Sequence, residues 1–164
     1  MSDGKVLHAS RNGIHVLRFI GDVRYTLSPS VDRFVKKIFA GSPPTGFVID
    51  LTETDSIDST NLGLLARIAK SMKALNGSRV TILSDRAEIN SVLTSMAFDE
   101  VFDIVSRATL ETGAAKELNS ETVDKESLSR TVLETHRALM ELSERNQEMF
   151  GDVVEALEKK LGKD

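Results

Sequence analysis

The sequence predicts an α/β domain, a mixed sheet flanked by helices, followed by a long C-terminal helix. Three observations lead there. After an opening pair of strands, short apolar runs alternate with segments of helical period. Asn12-Gly13 stands between the first two runs, a hairpin signal. From about residue 119 the composition turns polar, and only one glycine, Gly151, and no proline interrupt the chain before Leu161.

Residues 5–11 (KVLHASR) alternate weakly and residues 14–20 (IHVLRFI) strongly, which gives two strands ended by Gly21-Asp22. Ser28-Pro29 reads as an N-cap with proline at the first helical position. Val31, Phe34, Val35, Ile38 and Phe39 recur at helical spacing, so residues 29–40 form an amphipathic helix. Gly41-Ser42-Pro43-Pro44 breaks it. Phe47–Leu51 is a third strand, apolar enough to be buried on both sides. A second helix runs from Ser59 or Thr60 to Leu75, with Leu62, Leu65, Ile68, Ala69, Met72 and Leu75 as its core stripe and Asn76-Gly77 as its stop. Arg79–Leu83 is a fourth strand. Asp85 and Glu88 have the spacing of a capping box for a helix at about 86–96. Phe98 and Val101–Val105 give a short last strand, and residues 107–118 a further short helix.

Residues 1–118 thus form the domain and 119–164 a helical extension, with a linker at about 119–125. In the extension Val132, Leu139, Asn146 and Val153 recur every seven residues, as do Leu128, Thr135, Leu142 and Met149. This is an imperfect heptad over 122–161, read as one helix or as two broken near Gly151. Its stripe needs a cover: the domain itself, a second copy in a homodimer, or a partner helix.

Composition excludes several functions. The formal net charge of −4 argues against a nucleic-acid or anionic-membrane partner. No residue is cysteine, which removes disulfides, thiol catalysis and thiolate metal sites and fits a cytoplasmic protein. MSDGKVLHAS lacks the pattern of a signal peptide, and no apolar run approaches the ~20 residues of a membrane span. His8, His15 and His136 show neither metal spacing nor triad order, and His136 is placed on the outside of the long helix. No cofactor, metal or catalytic constellation is expected, and the chain is read as not an enzyme.

The segment from Asp50 to Thr60, DLTETDSIDST, is the most informative. It is an acidic, hydroxyl-rich loop between a buried strand and a helix N-terminus, where unpaired N–H groups favour a cap or an anion. Asp50, Glu53, Asp55 and Asp58 line it, with no basic residue. It lacks the alternating oxygen ligands and central glycine of a calcium loop. Ser59 is on this reading a helix cap or a modification site, and Ser56 and Thr60 are rival sites.

Val48-Ile49-Asp50-Leu51 followed by Ile57-Asp58-Ser59-Thr60-Asn61-Leu62-Gly63, within this order of elements, resembles the STAS domain of anti-sigma-factor antagonists over about residues 1–118. In that family the serine that follows the aspartate and opens the helix is phosphorylated, which implies Ser59. The resemblance implies a partner switch. The unphosphorylated chain binds an anti-sigma factor and frees a sigma factor, a serine kinase ends this, and a PP2C-type phosphatase restores it. Asp22, Asp58, Thr60, Asn61 and Leu62 are the candidate partner-binding positions, because the turn after the second strand and the loop after the third are expected at the same end. The family usually has glycine where this chain has Asn61. With its helical tail the whole chain looks like the HsbA-type antagonists of proteobacteria, for which a flagellar-type anti-sigma factor is one partner. The competing expectation is a STAS scaffold or ligand sensor that oligomerises through the tail.

Overall fold

The computed structural model describes residues 4–106, 116–118 and 121–162. Strands β1 (Lys5–Arg11) and β2 (Ile14–Val23) form an antiparallel hairpin. Asn12 and Gly13 turn it with φ of 53° and 81°. Two consecutive positive φ values are what a two-residue hairpin turn of the right twist requires, and Asn-Gly supplies them at low cost. A 3₁₀ turn at Tyr25–Leu27 leads into α1 (Ser28–Ala40). Leu27, not Ser28, takes the N-cap position, because the Ser28 hydroxyl donates to the Tyr25 carbonyl at 2.6 Å.

Next come β3 (Gly46–Asp50), β4 (Thr54–Ile57) and α2 (Ser59–Asn76), which Gly77 ends in the left-handed conformation. Then follow β5 (Val80–Leu83), α3 (Ala87–Ser95), a 3₁₀ turn at Phe98–Glu100 and β6 (Phe102–Val105). Last are β7 (Lys116–Glu117), α4 (Lys125–Met140) and α5 (Glu144–Leu161). The sheet order is β6-β5-β3-β2-β1-β7. Strands β2, β3, β5 and β6 run parallel, and β1, antiparallel to both β2 and β7, makes the sheet mixed. β4 lies off this path, parallel to the end of β2.

Other expectations change as well. The acidic loop contains a strand, β4, where the bulge at Gly21/Asp22 lets β2 continue past β3 and take a new neighbour. Arg86, not Asp85, stands at the N-cap of α3, and its side chain makes no cap. Leu75 is 43% exposed and leaves the core stripe of α2. The helix expected over 107–118 falls mostly outside the described residues, and its end, Lys116–Glu117, is a strand.

The tail departs most from expectation. It is a hairpin of two helices whose break lies at 141–143, while Gly151 sits inside α5. The Ser143 hydroxyl caps α5 by accepting from the Asn146 amide at 3.1 Å. Asn146 is no polar seam residue of a continuous heptad. It is buried, and its amide group donates to the Leu139 carbonyl at 2.8 Å and the Met96 carbonyl at 3.1 Å. The hairpin folds onto its own domain. Ala138, Leu139 and Phe150 join the apolar core that contains Leu17, Phe19, Ile49, Leu65 and Met72. Full burial of Leu139 and Phe150 favours this docking by about 1.5–3 kcal/mol each, before the entropy of ordering is subtracted. Among the described residues no helix is long and apolar enough to cross a membrane.

Candidate functional site

The carboxylates between β3 and α2 have cationic partners that lie far away in sequence. Asp50 accepts from Arg18 Nε at 3.1 Å and from the Thr52 amide and hydroxyl at 2.9 and 2.6 Å. Arg18 also reaches Glu53 at 3.3 Å. Arg86 pairs with Asp55 at 2.7 Å and donates to the Thr54 carbonyl at 2.9 Å. The loop's own run holds no basic residue, yet the fold brings two arginines to it. Among the described residues no group of three or more such side chains could hold a metal ion. Asp22 and Ser56 are neighbours across β2 and β4, and the Ser56 hydroxyl donates to the Asp22 carboxylate.

Asp58, rather than Ser59, is the N-cap of α2. Its Oδ1 accepts from both the backbone N–H and the side-chain amide of Asn61, each at 3.0 Å. This satisfies one of the unpaired donors at the helix start. Ser59 is the first helical residue and is partly buried. Thr60, Asn61 and Leu62 are 5%, 0% and 1% exposed, so these three candidate partner-binding side chains are covered in the folded chain.

The Ser59 hydroxyl lies 2.9 Å from Nε2 of His136 on α4. His136 is therefore not on the outside of the tail: it is 5% exposed. Its Nδ1 lies 2.6 Å from the Val132 carbonyl, which can only accept. In the neutral ring Nδ1 then carries the proton, and Nε2 accepts from Ser59. Burial holds the imidazole below its usual range, opposed by the Val132 carbonyl and the Asp58 carboxylate. Phe150 of α5 braces the ring edge-on, with centroids 5.2 Å apart.

Ser59, Asp58 and His136 thus converge, and Asp22 with Ser56 forms a second hydroxyl–carboxylate pair on β2 and β4. His136 donating backward and accepting from a serine has the sense of a base beside a nucleophile. Two cavities lie elsewhere. One of about 410 Å³ opens between the middle of α2 and the end of α4, and one of about 150 Å³ between α1 and α2. Sequence reasoning missed His136, Arg18 and Arg86 as members. The one local hint was Gly63, a residue with no side chain one turn beyond Ser59, against which Thr135 of α4 packs.

A model of the STAS domain matches residues 7–112. Among solved structures, an anti-sigma factor antagonist from Mycobacterium paratuberculosis is similar, with a TM-score of 0.56 and 18% identity. The match covers 64% of this chain and 87% of that one, and at this identity it concerns the fold. No curated protein matches the sequence.

Proposed function

The chain belongs to the STAS domain family, and from that premise we propose that it is an anti-sigma-factor antagonist switched by phosphorylation of Ser59. Unphosphorylated, it binds an anti-sigma factor and so releases a sigma factor. A serine kinase blocks this and a PP2C-type phosphatase restores it. The chain itself performs no catalysis in this role.

The observation that carries the reading is the position of Ser59: first residue of α2, beside its capping aspartate, at the end of the sheet where Asp22 and Ser56 meet. A phosphoserine brings about −1.5 to −2 charges at neutral pH. Next to Asp58 it would repel an acidic partner and load a docking surface with charge that is costly to desolvate. The α2 N-terminus offsets part of that cost inside the protein. A partner can thus be ejected without refolding the domain. Thr60 is buried, and Ser56, exposed and bonded to Asp22, is the rival acceptor; Ser59 is favoured by its place at the start of α2 beside Asp58.

The test is peptide mass spectrometry of the protein from its native cells, paired with anti-sigma-factor capture by two variants. One phosphate on Ser59 is expected, with Ser59→Ala binding permanently and Ser59→Asp not binding. Equal capture by both variants, or no phosphate under any growth condition, would sink the switch. A phosphate on Ser56 would move it by three residues. The scaffold reading has one observation in its favour, the half-exposed Met149 and Val153 on α5. It requires self-association that Ser59 substitutions leave untouched.

A further inference from the structure

We infer that α4 occupies, within the chain, the surface on which a partner helix must dock to reach Ser59, so that modification and partner binding both require α4 to lift. This rests on the reading of Ser59 and the start of α2 as the switch. Four observations support it.

First, the contact with Ser59 is direct, through His136 Nε2 at 2.9 Å. Second, α4 crosses α2 at Gly63. A Cβ built there would stand 2.3 Å from the Thr135 carbonyl oxygen and 2.5 Å from its Cβ. Two helices approach this closely only where one has no side chain, so the surface of α2 is shaped to receive another helix. Third, the border of the contact is charged. Lys70 meets Glu141 at 2.8 Å, and Arg67 joins Glu134 at 3.4 Å to Asp32 at 3.0 Å. A polar rim around an apolar centre is the anatomy of a separable interface. Fourth, the fit is incomplete. A cavity of about 410 Å³ opens at the edge of the contact, walled by Ala66 and Ala69 of α2, Ala138 of α4, Leu142 beyond it, and Gly77 and Val101 of neighbouring turns. A core helix packed to full density would leave no such space.

These features describe the partner as well as the cover. The replacing element is an amphipathic helix with a small or hydroxyl residue opposite Gly63 and carboxylates opposite Arg67 and Lys70. A phosphate on Ser59 would oppose such an acidic helix.

The test uses the full-length chain, whose lack of cysteine makes a single introduced thiol a clean probe. Ser59→Cys is compared with Ser91→Cys, an exposed position on α3, in reaction with a thiol reagent. Compared above pH ~9, where both thiols are ionised and His136 and the α2 N-terminus give neither an advantage, the Ser59→Cys thiol is expected to react at least about tenfold more slowly, as a shielded group does. Adding Gly63→Ala, which pushes α4 away, should bring the two rates together. Adding Lys70→Glu should speed Ser59→Cys by about two- to fivefold, the scale of an exposed pair. Lys70→Glu with Glu141→Lys should slow it again. If Gly63→Ala does not fold, the charge-reversal pair carries the test. A Ser59→Cys thiol as reactive as Ser91→Cys, or a rate that neither loosening variant changes, would overturn the inference. The assay involves no kinase, phosphate or anti-sigma factor. A missing phosphate on Ser59 would therefore defeat the switch and leave this result standing, and the converse also holds.

Discussion

One oxygen of Asp58 takes hydrogen bonds from both the backbone and the side chain of Asn61, and the same carboxylate acts electrostatically on His136. Asp58→Ala should therefore lower stability by about 1 kcal/mol, the usual worth of an N-cap. A shift of the urea midpoint without change in its slope would show this, and an unchanged midpoint would refute the capping role. The start of α2 at Ser59 was legible in the sequence, because Asp58-Ser59-Thr60 precedes an apolar stripe of helical period. His136 was not. Every position of a helix lies on some face, and which face turns inward is a tertiary fact. Reading the tail as one heptad placed this residue outside. Asn61 shows a similar limit. Its type indicated a tolerant helix start, but not that its side chain would be buried and share an acceptor with its own backbone.

Among the elements, the strands and helices with strong periodicity were legible: the hairpin, α1, β3, α2 and β5. β4 was not, because Thr54-Asp55-Ser56-Ile57 has weak strand propensity and forms only where β2 runs past β3. The tail was legible as helix but not as two helices, since Ser143 breaks it by capping a new one inside an otherwise continuous pattern. Leu139 and Val153 distinguish the two architectures. Both were assigned to the same heptad position, yet Leu139 is fully buried and Val153 is 43% exposed. Leu139→Ala should cost about 2–5 kcal/mol, and Val153→Ala no more than about 0.5 kcal/mol. Comparable losses at both, measured by chemical denaturation, would restore the coiled-coil seam.

At the scale of the molecule the three histidines act in one direction. His8 and His15 are held below their usual range by burial, His8 also by the charge of His15, its neighbour at 2.9 Å. His136, facing Ser59, Asp58 and the Val132 carbonyl, is lowered as well. The folded chain thus binds fewer protons than the unfolded one in this range. Their contribution is complete above a pH of about 6.5 and is lost as the pH falls below it through the lowered folded values. Thermal midpoints should drop between pH 7.5 and 5.5, and His136→Gln should reduce the drop. A midpoint that rises on acidification would contradict this. The overall class was legible because strands alternating with helices leave few arrangements. The docking of the tail was not, because its stripe could be covered equally well by domain, copy or partner. The Ser59–His136 contact joins residues 77 apart in the chain. Synthesis at roughly 5–20 residues per second makes α2 about 4–15 s before the segment that shields it. On the proposed switch each newborn copy passes through an interval in which Ser59 lacks its cover, and chains arrested before Lys125 are expected to accept phosphate faster than finished ones.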